Sequence, residues 1–496
     1  MSPQSPMKCS PESQSGTNQS LGRLPSGRRY SVVARGSALL ALLLAMPLHC
    51  KSVDIEPLTP PVVPVVNESA DMTATGAADL AAAVDPNAQF NQTTIYKTAA
   101  EFSGFVGNGV AVRSAGSAAA VELSASKLSA LNCQGEDIDG GAARYDAASG
   151  LCAGTDPAPS GLPSGVTYYN GGSFFYGTLV SPEIKATAPA GSGGRLGIDH
   201  VIASWNAETP PGTWLQVHVR VRLASGLSRW YPLPIWASDF STVKRHSVKG
   251  ASDSTAGIDT DTFYMKGGQA AESYQLRVTL FSTTSDKTPM LRLLAAVASR
   301  DSSTYPVQTP NASAWGIDLN VPQRSQELPE YKGKDYGGGG AVWCSPTCTS
   351  MVMAYWGIKQ SRAELNQTVP DTAAGCFDWV YNGTGNWPFN TAHAATLGLS
   401  GYVTRLYSLT DAESFIRSGV PLIISIAFGV GELPGAPISK TNGHLIVLRG
   451  FDRNGDPIVN DPAARTNEAT RLVYPRAALE KAWAHSHRTA YVLTPQ

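Results

Sequence analysis

The sequence predicts two folded parts in series: an N-terminal antiparallel β-sandwich of jelly-roll type, then a C-terminal α+β domain. Three observations carry that expectation. Gly and Pro number 48 and 34 in 496 residues while charged residues make up only 16%, a balance that favours short strands and turns over long surface helices. Runs between residues 93 and 303 alternate apolar and polar side chains with period two. Beyond residue 319, helix signals come first and strand signals follow, the grammar of segregated α and β elements.

The first 50 residues read as an export segment. A 12-residue apolar run at 37–48 (SALLALLLAMPL) stands behind Arg28, Arg29 and Arg35, long enough for a signal-peptide core and short for a membrane span. The protein is therefore expected outside the cytoplasm, secreted or anchored at the cell surface. Cys50 follows directly and is a lipidation candidate, with ordinary signal-peptide cleavage nearby as the alternative. Arg28-Arg29 reads as positive charge rather than as a twin-arginine signal. No later stretch offers about 18 consecutive apolar residues, so membrane contact is expected only through this segment or a lipid anchor. Residues 51–92, rich in Pro, Ala and Val, read as a low-complexity tether. With 38 Lys plus Arg against 39 Asp plus Glu, the net charge of −1 gives no field for capturing nucleic acid.

Within 93–303, the run 214–223 (WLQVHVRVRL) sets Leu215, Val217, Val219, Val221 and Leu223 on one face and Gln216, His218, Arg220 and Arg222 on the other. Residues 274–280 (YQLRVTL) repeat the pattern, and turns such as ETPPGT and GSGG separate such runs. Cys133 and Cys152 flank a loop-like stretch, and export would let them pair. Asp137 and Asp139 before Gly140-Gly141 read as a solvated acidic turn, not a calcium site. Trp205, Trp214, Trp230, Trp236, Tyr168 and Tyr169 read as core, with a sugar-stacking platform, and hence glycan or cell-wall contact, as the alternative.

A linker is expected at 304–318, and the last part at 319–496. Helices are expected at 344–356, from Ser361 with Glu364 completing a capping box, at 390–397, at 410–418 with Glu413 completing another, and at 478–484. Strands are expected at 420–428, 444–451, 457–460, 471–474 and 489–493.

The chemistry gathers at 337–357 (GGGGAVWCSPTCTSMVMAYWG). Cys344 stands where four glycines give way to a helix, with Pro346 suited to its first turn and Gly357 to its C-cap. Unpaired N–H groups and the positive end of the dipole there favour a thiolate, and the same groups can receive an oxyanion. A thiolate nucleophile wants an imidazole, and His444 opens an apolar strand. The turn 452–456 (DRNGD) then folds the chain so that His444 and Asp461 come to the same open end of one hairpin, where Asp461 can accept from the ring. Cys348, one turn deeper, competes for the nucleophile role; it either bridges Cys376 or stays a buried thiol. His393, His485 and His487 read as helix decoration and helix-end cations.

These segments resemble a family. Residues 319–496 are similar to the bacteriocin-processing-type cysteine peptidases of the papain-like superfamily, and in particular to their stand-alone secreted relatives with an N-terminal β-rich domain. The likeness rests on Val321-Pro322 leading to Gln326, on CSPTCTSMVMAYWG from Cys344, on GHLIVLRGFDRNG around His444 and on VNDPA around Asp461. The resemblance implies a papain-like fold with Cys344 as nucleophile, His444 as general acid and base, Asp461 as the orienting carboxylate and Gln326 donating to the oxyanion, with Gln323 as the alternative glutamine. Ser345 departs from the glycine that usually follows the nucleophile, and the run from Gln326 to Cys344 is longer than in leader-cleaving members.

The expectation is a cysteine peptidase acting on a peptide or protein substrate, cutting peptide or isopeptide bonds through a thioester and needing no cofactor or metal. Two alternatives remain open from sequence. The thioester could pass to an amine, as in a transpeptidase or acyltransferase, or the chain could be a non-catalytic wall- or glycan-binding surface protein.

Overall fold

A computed structural model of the chain describes residues 90–116, 118–125, 133, 144–155, 172–186, 197–248, 250–300 and 308–496. The export segment with Arg28, Arg29 and Cys50, the tether up to residue 89, Asp137, Asp139, Tyr168, Tyr169 and linker residues 304–307 lie outside these residues. Among the described residues, no helix is long and apolar enough to cross a membrane.

The N-terminal region is built from strands paired antiparallel. Among the described residues they form one sheet of seven strands, centred on His200–Glu208 and Met290–Arg300, and another of nine, centred on Thr213–Leu223 and Ser273–Ser282. Period-two alternation decides the faces: Leu215, Val217, Val219 and Val221 meet Val201, Ala203, Trp205 and Leu294 of the other sheet in one buried core. Trp205, Trp214 and Trp236 are fully buried, which makes them core. Trp230 lies against the guanidinium groups of Arg220 and Arg277. The expected Cys133–Cys152 disulfide is formed.

The C-terminal region is α+β. Among the described residues its sheet has six antiparallel strands in the order Leu399–Arg405, Thr489–Pro495, Leu422–Phe428, Thr441–Phe451, Pro457–Asn460 and Arg471–Val473. Helix α1 (Cys344–Gln360) packs on this sheet, with α2 (Val369–Cys376) and α3 (Trp387–Thr396) against α1; α4 (Leu409–Arg417) and α5 (Arg476–Ala484) complete the region.

Several expected helix signals work differently. Helix α1 runs past Gly357 to Gln360, because Gly357 serves close packing: a Cβ there would stand 2.8 Å from the Arg362 carbonyl. Ser361 starts no helix. It ends α1 in the left-handed region at φ 55°, and Glu364 pairs instead with Arg362 at 2.8 Å. Thr368 caps α2, accepting from Asp371 N–H, and Asn386 caps α3. For α4 the cap is Ser408, not Thr410. Glu413 turns inward, fully buried, where Arg476 and the Trp315 indole donate to it at 2.7 and 2.9 Å. The described end of the expected linker is docked: Asp318 pairs with Arg449 and Arg471, and Leu319 just beyond it donates its N–H to the Arg449 carbonyl at 2.9 Å.

The two regions share buried polar contacts. Leu399–Arg405 is an edge strand whose outward peptide groups would need partners. The N-terminal region supplies them from side chains: Asn206 donates to the Gly401 carbonyl at 2.6 Å and accepts from its N–H at 3.1 Å, and Ser204 accepts from Val403 N–H at 3.1 Å. Asp261 accepts from the Trp387 N–H at 2.7 Å, placing a carboxylate at the positive end of α3. Buried Arg245 donates to the Phe377 carbonyl at 3.1 Å, and Asp378 accepts from Ser247 N–H at 3.0 Å.

Candidate active site

Cys344 is the first residue of α1, and the Trp343 cap position contributes no side-chain hydrogen bond, so the first-turn N–H groups have no capping side chain. The approach to it is unusual backbone. Tyr336 and Gly337 through Gly340 all have positive φ, and a Cβ at Gly339 would stand 1.9 Å from the Tyr331 carbonyl. Glycine at 339 is therefore a steric requirement of the turn that delivers Cys344.

His444 and Asp461 meet as the hairpin geometry requires. The strands pair with Val447 opposite Asn460, which carries Asp461 to the end where His444 stands, and His444 Nε2 lies 2.8 Å from Asp461 Oδ1. With Nε2 committed to the carboxylate, Nδ1 is the ring nitrogen left for the sulfur, and the imidazole is in hydrogen-bonding contact with Cys344. All three residues are buried, Cys344 at 1% exposure and His444 at 3%.

The electrostatics follow from burial and pairing. Burial disfavours the His444 imidazolium, but the Asp461 charge and hydrogen bond, joined by Cys344, outweigh it and raise its pKa to about 10. Burial likewise works to raise the Asp461 carboxyl, yet His444, the Tyr474 hydroxyl and the Ala463 N–H hold it below its ordinary range. The arrangement can therefore keep an imidazolium beside sulfur, the form that protonates a leaving amine.

The other sequence candidates fall into place around this line. Gln326 is buried, its N–H donating to the Pro462 carbonyl at 2.9 Å and its carbonyl near Gly340. Its Nε2 gives one hydrogen bond, 3.1 Å, to Glu327, while Oε1 has no partner. Gln323 is spent elsewhere, donating to the Asn467 and Glu468 carbonyls. Cys348 and Cys376 are free buried thiols, which corrects the disulfide alternative. The reason is direction: α1 turns Cys348 onto the Leu445 carbonyl at 3.2 Å, while Cys376 ends α2 near Arg245. Burial, then the charges of Cys344 and Asp461, push the Cys348 thiol well above its usual range, so it stays protonated. His393 packs against Gly375 of α2, and His485 at the surface donates from Nδ1 to the Ala427 carbonyl at 3.2 Å, with the Glu432 carboxylate 3.9 Å away.

Sequence reasoning missed two supports. Ser345, where a glycine was expected, shares a 2.9 Å hydrogen bond with the Tyr491 hydroxyl, which ties the first turn of α1 to the sheet. Tyr474 donates to Asp461 Oδ2 at 2.7 Å. The available signal was a phenol closing the strand that pairs alongside the one leading to Asp461.

Comparison with known proteins places both regions in described families. Residues 92–299 match the peptidase C39 N-terminal domain, and residues 318–491 match the peptidase C39-like family. The chain is a member of the C39 family of papain-like cysteine peptidases. A crystal structure from Bacillus anthracis, described as that of a candidate C39-like peptidase, is 18% identical with TM-score 0.27, covering 36% of this chain and 98% of its own. No curated protein matches. The C39-like region gives this chain a cysteine-peptidase type of function, with a peptide or protein as substrate.

Proposed function

We propose that this chain is an exported peptidase, secreted or surface-anchored, that hydrolyses peptide or isopeptide bonds through a thioester on Cys344. The Cys344 thiolate attacks the carbonyl carbon, forming the C–S bond while the carbonyl π pair moves to oxygen. The Cys344 N–H and the free amide donor of Gln326 receive that oxyanion. His444, held by Asp461, passes its proton to the leaving nitrogen as the C–N bond breaks. Water, deprotonated by His444, then attacks the thioester and releases the acid, restoring the thiolate.

The observation that carries this reading is the unbroken buried line from Cys344 through His444 to Asp461. Because Cys344, His444 and Gln326 are buried, admitting a carbonyl requires local opening of the loops that lead into α1. The Cys133–Cys152 disulfide supports an oxidising compartment, and the single core shared by the two N-terminal sheets supports a sandwich. The test is incubation of wild type and Cys344→Ala with a diverse peptide library, reading cut sites by mass spectrometry. Cleavage by wild type alone is expected, and identical digests from both would remove the assignment.

A further inference from the structure

Asp461 uses both oxygens. Oδ1 accepts from His444 Nε2 at 2.8 Å and from Ala463 N–H at 2.9 Å, while Oδ2 accepts from the Tyr474 hydroxyl at 2.7 Å. Both Asp461 and Tyr474 are fully buried. The Asp461 backbone is anchored separately, its N–H on the Thr470 carbonyl at 2.8 Å, so what the phenol controls is rotation of the carboxylate rather than the path of the chain. Tyr474 is itself fixed at its backbone, donating to the Pro457 carbonyl at 3.1 Å, and its ring spans from there to Asp461.

We propose that Tyr474 is a positioning residue for the reaction: its hydroxyl locks the Asp461 carboxylate so that Oδ1 stays aimed at His444. This rests on the peptidase reading of the site. Without the O–H, Oδ2 would be a buried carboxylate oxygen with no donor, and the carboxylate would turn to share its existing donors. His444 would then lose alignment with its counter-charge, and its imidazolium would release the proton more easily. The titratable groups that act on or feel Asp461 are His444, Tyr474 and Cys348, with Cys344 reached through His444. Burial, then the Asp461 charge and hydrogen bond, push the Tyr474 phenol upward, so it remains a donor throughout the working range. Cys348 is held as the neutral thiol, which leaves Tyr474 as the neutral group that can steer the carboxylate without altering the charge of the site.

The test is Tyr474→Phe, which keeps the ring and removes only the hydroxyl. The expected kinetic result is a fall in kcat of about 10- to 100-fold with KM nearly unchanged, the size of a lost hydrogen bond to a charged group. The alkaline limb of the pH profile is expected to move to lower pH. A second readout needs no turnover: NMR titration of the His444 imidazole in wild type and Tyr474→Phe, with Cys344→Ala as the background for both. A lower His444 pKa in the phenylalanine variant supports the positioning role even if wild type cleaves nothing, a result that would sink the peptidase reading separately. An unchanged His444 titration, with only a lower Tm, would reduce Tyr474 to packing and overturn the proposal.

Discussion

The side-chain amide of Asn206 and the peptide group of Gly401 hold each other in both directions, at 2.6 and 3.1 Å, across the junction of the two regions. A side chain thus does what a neighbouring strand would do for the open edge of the C-terminal sheet. Asn206→Leu keeps the volume and leaves the buried Gly401 N–H and carbonyl without partners. Urea unfolding is expected to show a loss of about 2–6 kcal/mol, from about 1–3 for each group. A loss below about 0.5 kcal/mol, the usual scatter of surface substitutions, would show that the edge does not depend on this contact.

Much of this was legible in the sequence, and the failures have physical causes. Alternation in 214–223 fixed the inner face because side-chain period in a strand is geometric. The His444–Asp461 pairing followed from counting residues about one turn. The capping boxes at Ser361 and Thr410 failed because capping residues also favour other turns, and each was outcompeted by a neighbour, Thr368 or Ser408, already extended where a helix begins. Tyr474 and Asn206 were hidden because their partners lie outside any local pattern. For Asn206 a trace existed: Ser204 and Asn206 interrupt one face of the apolar run His200–Glu208, and polar residues so placed in a buried strand need partners.

The coupling of His444 to Asp461 sets a pH signature. The raised His444 pKa should hold activity through about pH 8 and let it fall on approach to about 10, as the imidazolium empties. Asp461→Asn should bring that limb down toward the ordinary histidine value of 6.5. Stability follows the same linkage. His444, raised in the fold, contributes fully below 6.5 and loses that contribution as pH rises through its folded value; Asp461, lowered, contributes above 3.8 and loses it in acid. The Tm gap between wild type and Asp461→Asn should therefore be widest near pH 5–6 and narrow toward pH 10. A gap that widens with pH would contradict the pairing.

Cys348 lies one turn beyond Cys344 and is held protonated against the Leu445 carbonyl. Cys348→Ala is expected to keep kcat within about threefold while costing about 1–2 kcal/mol of stability from lost packing. Abolished cleavage in a folded Cys348→Ala protein would move the nucleophile assignment.

Gly338 and Gly339 offer a matched pair. Both have positive φ, but a Cβ at 338 meets open space, whereas one at 339 runs into the Tyr331 carbonyl. Gly338→Ala should cost about 1–2 kcal/mol for the backbone conformation alone. Gly339→Ala should cost clearly more and lower kcat by displacing Cys344. Equal effects, measured by urea unfolding and steady-state rates, would mean that the turn does not set the position of the thiol.

The claim on which the rest depends is that the Cys344 sulfur carries the acyl group. Acid-quenching wild type during turnover of a peptide that it cleaves, then mapping the adduct by mass spectrometry, reads this directly. The expected result is the acyl mass on the peptide containing Cys344, released by hydroxylamine, lost in Cys344→Ala and strongly depleted in His444→Ala. Undiminished cleavage by Cys344→Ala, with no acyl group on that cysteine in wild type, would contradict it.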